Sequence, residues 1–76
     1  MIYNTIYRLA QKKGMSIHQL EVKAGLEGMI GRWRDYYPSY KNLVKVADAL
    51  KISLNTLRRE IEKDEKGGEE NGEVTG

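Results

Sequence analysis

The chain has 76 residues, with one histidine, one proline, eight glycines and no cysteine, at a formal net charge of +2. That length makes one domain at most, near the lower limit for folding on a hydrophobic core alone. Without cysteine, and with a lone histidine outside any HExxH spacing, no disulfide framework and no zinc site can form, so no metal or cofactor is expected. The charge is uneven: residues 1–63 carry 12 Lys and Arg against 6 Asp and Glu, a balance of +6, whereas residues 64–76 carry 1 against 5, a balance of −4. A basic domain suits a polyanionic partner.

A first helix is predicted from about Tyr3 to Lys13, because Ile2, Ile6, Leu9 and Ala10 recur at helical spacing and Gly14 terminates it. The opening MIYNTIYRLA lacks the basic lead-in and apolar run of a signal peptide. Nor does any run approach the ~18 apolar residues that cross a membrane. A cytoplasmic protein without a membrane partner is expected. Ser16 followed by Gln19 spells a capping box, with Met15 and Leu20 set as a hydrophobic staple. A short second helix therefore starts at Ile17, buries Ile17, Leu20 and Ala24, and ends at Gly25.

The stretch GLEGMIGRWRDYYPSY, residues 25–40, is the least regular part of the chain. Ile30, Trp33 and Tyr37 share one side of a helix, predicting a third helix of about two turns over residues 28–36 with Trp33 and Tyr37 in the core. Gly28 fits its N-cap, and Gly28, Gly31, Arg32 and Asp35 fall on the outer face. A glycine inside a helix costs roughly 1 kcal/mol relative to alanine, so this thinning needs a reason. A bare face lets something approach the backbone. After Pro38, Ser39 caps a fourth helix with Leu43, Val44, Val46, Ala47 and Leu50 along its stripe. Ser53 caps a fifth, with Ile52 stapled to Leu57 and with Leu54, Leu57 and Ile61 inward, ending near Lys63. From Asp64 on, the glycine-rich acidic sequence holds too few apolar residues to repay ordering. The expectation is an all-α, compact five-helix domain over residues 1–63 and a disordered acidic tail over residues 64–76.

The ordered run KGMSIHQLEVKAGL, then IGRW, then PSYKNLVKVADALKISLNTL resembles the phage-repressor/Cro (XRE-type) helix-turn-helix family over about residues 2–61. The resemblance implies a lambda-repressor-like fold whose third helix enters the major groove of double-stranded DNA. It also implies a transcriptional regulator, acting as a homodimer on half-sites about 34–36 Å apart and repressing by blocking polymerase. Three positions depart from the family pattern. Ile17 stands where Gln is usual, Glu21 where a small residue is usual, and five residues separate Gly25 from Ile30 where the family has six.

Aligned on Ile30 and Trp33, Gly28, Met29 and Arg32 take the groove-facing positions and are the expected base contacts. A guanidinium at Arg32 can bond guanine O6 and N7 through a bidentate fork, and Met29 can touch a thymine methyl. Ser16, His18, Arg34, Tyr36, Tyr40 and Lys41 are the expected phosphate contacts, which fix register. Glu27 suits a helix N-terminus but repels phosphate. The plain alternatives are an Arg32 that is simply solvated or is paired to Asp35, Met29 as a peripheral core filler, His18 as an ordinary exposed residue, and tyrosines that pack the loop.

No catalytic set emerges. Ser16 and His18 lack a nucleophile turn, and the glycines do not spell GxxxxGK[ST], so neither an enzyme nor a small-molecule substrate is expected. The same residues admit other readings: a protein-interaction module with degraded DNA readout, the antitoxin of a toxin-antitoxin pair, or an oligomer face built from the fifth helix with Tyr3 and Tyr7.

Overall fold

Three helices end by the same local device. In the computed structural model, which describes the backbone of residues 1–74 and the side chains of residues 1–66, α1 (Ile2–Lys12), α2 (Ile17–Ala24) and α3 (Tyr40–Leu50) each give way to a left-handed residue. These are Gly14 at φ 75°, Gly25 at φ 73° and Lys51 at φ 59°. The carbonyls that a helix end leaves unpaired are then taken by amides from beyond it. The Met15 N–H donates to the Ala10 carbonyl at 2.8 Å, Leu26 to Glu21 at 2.8 Å, and Ile52 to Ala47 at 3.0 Å. In each case the donor is apolar and folds back on the core, Leu26 fully buried and Met15 and Ile52 partly so.

The helix starts match the serines of the sequence. The Ser16 hydroxyl accepts from the Gln19 N–H at 3.1 Å while the Gln19 Oε1 accepts from the Ser16 N–H at 2.9 Å, completing the capping box. The Ser39 hydroxyl accepts from the Asn42 N–H at 3.2 Å. The Ser53 hydroxyl accepts from the Thr56 N–H at 3.0 Å at the start of α4 (Leu54–Val74). The core gathers Ile2, Ile6, Leu9 and Ala10 from α1, Leu20 from α2, Leu43, Val46 and Leu50 from α3, and Leu57 and Ile61 from α4. α2 packs on α3, and α1 packs on α4.

The chain is all-helical, but the described residues form four α-helices rather than five. The expected third helix over residues 28–36 is instead a 3-10 helix of five residues, Ile30–Arg34. The physical reason lies in the turn before it. Gly28 stands at φ 77°, a second left-handed residue only three positions after Gly25, and a backbone in that region cannot continue a right-handed helix. Gly28 therefore precedes the helix rather than capping it, and Met29 occupies the N-cap without any side-chain cap bond.

The second correction concerns the other end. α4 does not stop near Lys63, because Asp64 is fixed to α1. The Thr5 hydroxyl donates to Asp64 Oδ2 at 2.8 Å, and Arg8 Nη2 donates to Glu60 Oε1 at 2.8 Å and to Asp64 Oδ2 at 2.9 Å. Asp64 thus belongs to the packed domain. Of the rest of the expected disordered tail, Glu65 and Lys66 continue α4 as exposed residues, and residues 67–76 lie outside the residues whose side chains are described. No described helix is long and apolar enough to cross a membrane.

Candidate nucleic-acid interface

Ile30 and Trp33 hold the 3-10 helix to the core, at 0% and 4% exposure, against α1 and α2. With those two turned inward, Gly28, Met29, Gly31 and Arg32 are all exposed. Met29 is 38% exposed and lies outside the buried core cluster. A Cβ added at Gly31 meets no atom within 4 Å, so the surface there is open. Among the described residues the ion pairs are those joining Arg8 and Lys63 to Glu60 and Asp64, so Arg32 is not paired to Asp35. At Arg32 the backbone, by contrast, is occupied. The Arg32 N–H donates to the Met29 carbonyl at 3.0 Å, and the Asp35 and Tyr36 amides donate to the Arg32 carbonyl at 3.0 Å each. What Arg32 offers a ligand is therefore its side chain.

The residue that organises the segment is Glu21, which is 7% exposed. Its Oε1 accepts from the Gly28 N–H at 3.2 Å and its Oε2 from the Ile30 N–H at 3.0 Å. A buried carboxylate is costly unless hydrogen bonds replace its lost water, and here two backbone amides do so. The sequence contains the signal for this. Glu21 falls on the same side of α2 as the buried Leu20 and the partly buried Ile17 and Ala24, and a carboxylate within a buried stripe requires donors nearby.

The expected phosphate contacts divide into engaged and free groups. Ser16 is exposed, but its N–H and one acceptor site serve the capping box, leaving the hydroxyl hydrogen as the donor. His18 is exposed on the outer face of α2, lining a shallow groove with Met15, Gln19 and Val22. The Arg34 guanidinium lies over the Tyr3 ring, 4.3 Å from its centroid, and Tyr3 in turn stacks on Tyr7. That cation–π contact ties Arg34 to α1 and leaves part of its fork open. Tyr36, Tyr40 and Lys41 are exposed between the 3-10 helix and the first turn of α3.

Tyr37 corrects an expectation. It is 63% exposed rather than buried. Once the segment is a short 3-10 helix ending at Arg34, the seven-residue spacing from Ile30 no longer returns Tyr37 to the inward side. Partial burial, reinforced by the charges of Glu65 and Glu62 and opposed by Arg58, pushes its phenol above the ordinary value. Tyr37 thus stands beside α4 rather than in the core.

Among the described residues, no group of three or more His, Asp or Glu side chains is arranged to hold a metal. Comparison with family models, with curated proteins and with solved structures gives no match.

Proposed function

We propose that this chain is a DNA-binding regulator of the helix-turn-helix type, with α2 and the 3-10 helix as its two arms and Arg32 as its main base-reading residue. The observation that carries the reading is the division of one short segment into two roles. Ile30 and Trp33 are locked into the core, while Gly28, Met29, Gly31 and Arg32 form an open face whose guanidinium is in no ion pair among the described residues. A bidentate arginine needs close approach to the base edge, and glycine neighbours allow it. The balance of +6 over residues 1–63 supports a polyanion as the ligand. Ser16, His18, Arg34, Tyr36, Tyr40 and Lys41 are the flanking phosphate donors of this reading. The resemblance to the phage-repressor/Cro family supports the same conclusion, together with homodimeric action on a palindromic site and a cytoplasmic location.

The test is fluorescence anisotropy on duplexes selected from a random library, compared with random-sequence duplexes across a salt series. The selected duplex is expected to bind more tightly, with affinity falling steeply as salt rises. Arg32→Ala is expected to weaken selected-site binding by about 1–3 kcal/mol and to relax preference at one base pair. Equal affinity for selected and random duplexes sinks the proposal. A folded Arg32→Ala protein with unchanged affinity argues instead for a protein-interaction module.

A further inference from the structure

We infer that Glu21 is a positioning residue for base readout: its carboxylate sets where Met29 and Arg32 stand. The inference rests on the DNA reading above and goes beyond it, because Glu21 itself lies buried behind the face that meets DNA. The geometry is specific. The two amides that the carboxylate binds, Gly28 and Ile30, flank Met29, so one anion engages the candidate base contact Gly28 and spans the next, Met29. Gly28 is left-handed at φ 77° and Met29 right-handed at φ −99°, ψ −36°. Successive residues of opposite hand turn their N–H groups toward one side and form a concavity for an anion. Here the anion is supplied from α2, within the same chain.

The arrangement stabilises the turn, because an apolar side chain at position 21 would leave the Gly28 and Ile30 amides without their acceptor, the bond to Ile30 being buried. Glu21 is in no ion pair among the described residues, so these two amides are what its carboxylate serves. What the carboxylate supplies, and an apolar group cannot, is direction. It fixes the orientation of two peptide planes immediately before Gly31 and Arg32. The 3-10 helix has no side-chain cap of its own, so this contact from α2 is what defines its start. It also means that the amides at this turn are already occupied and do not receive a DNA phosphate.

The test compares wild type, Glu21→Gln, Arg32→Ala and the double variant. Glutamine keeps the shape but can accept only one of the two amides, leaving its NH2 facing the other donor. In the free protein, hydrogen exchange at Gly28 and Ile30 is expected to accelerate by about tenfold in Glu21→Gln, while the helical circular dichroism of the folded protein stays unchanged. Discrimination between selected and random duplexes is expected to fall by about tenfold, with random-duplex affinity held within about twofold. In the Arg32→Ala background, Glu21→Gln is expected to cost less than it does in wild type, because the part of its effect that runs through Arg32 is already lost. Glu21→Asp, which keeps the charge with a shorter reach, serves as the second variant if Glu21→Gln does not fold, and is expected to lose discrimination in the same direction.

Unchanged discrimination in a folded Glu21 variant overturns the inference. So does a loss that adds in full to that of Arg32→Ala, since a generic structural role would behave that way. A wild-type protein that binds both duplexes alike overturns the DNA reading itself, and that outcome is seen before any variant is made.

Discussion

α3 and the 3-10 helix feed the same core from opposite sides of Pro38, yet they are held by different means. α3 is eleven residues long, starts on a serine cap, buries Leu43, Val46, Ala47, Ala49 and Leu50, and closes on a left-handed residue. Nearly all of this is written within its own sequence. The 3-10 helix has five residues, no side-chain cap and two buried side chains, and its entering amides are bound by a carboxylate from α2. Helix nucleation is unfavourable and must be repaid over several turns, so a one-turn element survives only through tertiary partners. Its shape follows from what holds it rather than from its own propensity.

The largest expected test of that contrast is Trp33→Ala. Removing a fully buried tryptophan typically costs about 3–5 kcal/mol, a large part of the ~5–15 kcal/mol that holds a small domain together. Urea denaturation measures it. A loss below about 1 kcal/mol would mean that the segment is not anchored as described.

A pair of glycine substitutions sharpens the comparison at intermediate size. Gly28→Ala forces a left-handed backbone on alanine and is expected to destabilise by about 1–2 kcal/mol. Gly31→Ala has no positive φ to satisfy and an open space for its methyl, so stability is expected to stay level or rise by up to about 1 kcal/mol. Duplex affinity should nevertheless fall in Gly31→Ala, because the added methyl stands on the approaching face. If the two variants lose stability equally, the two glycines do not have the separate roles drawn here.

The smallest effect concerns the clasp between α1 and α4. The Arg8 hydrogen bond, aided by the charge of Lys63, holds the Glu60 carboxyl below its ordinary value. For Asp64, burial pushes upward, but the hydrogen bonds from Arg8 and Thr5 outweigh it and leave that carboxyl lowered as well. Groups with lowered folded values stabilise the native state above the ordinary carboxylate range, and that stability is lost as pH falls toward the folded values. The thermal midpoint is therefore expected to drop on acidification below that range. Asp64→Asn should flatten the drop, and an unchanged acid profile in this variant would remove Asp64 from the clasp. The raised value of Arg8, caused first by its bond to Glu60, has its effect only at strongly alkaline pH.

The two kinds of region also differ in how far they can be read from residues alone. Ser16 with Gln19, Ser39, Ser53 and the turn glycines 14 and 25 act over three to five residues, and each boundary they predict is present. Ile30 and Trp33 were legible as inward residues for the same reason. The 3-10 geometry was not, because over five residues its inward spacing coincides with that of an α-helix. Extending the α-helical period carries Tyr37 inward, where it does not stand. The bonds from Thr5 and Arg8 to Asp64 join residues 59 and 56 positions apart, which no local pattern encodes. Glu21 lies between these cases: its place in a buried stripe was visible, but its partners were two amides with no side-chain signature.

The bare surface at Gly31 carries a consequence for how such a protein diverges. Met29, Gly31 and Arg32 contribute little to packing, so codon changes there leave folding largely intact, whereas changes at Glu21, Ile30 or Trp33 do not. Chains tolerate substitutions only while they stay above a stability threshold. If these positions read DNA as proposed, a lineage descended from this one can therefore wander through new binding preferences at three surface positions, with the scaffold beneath them held constant.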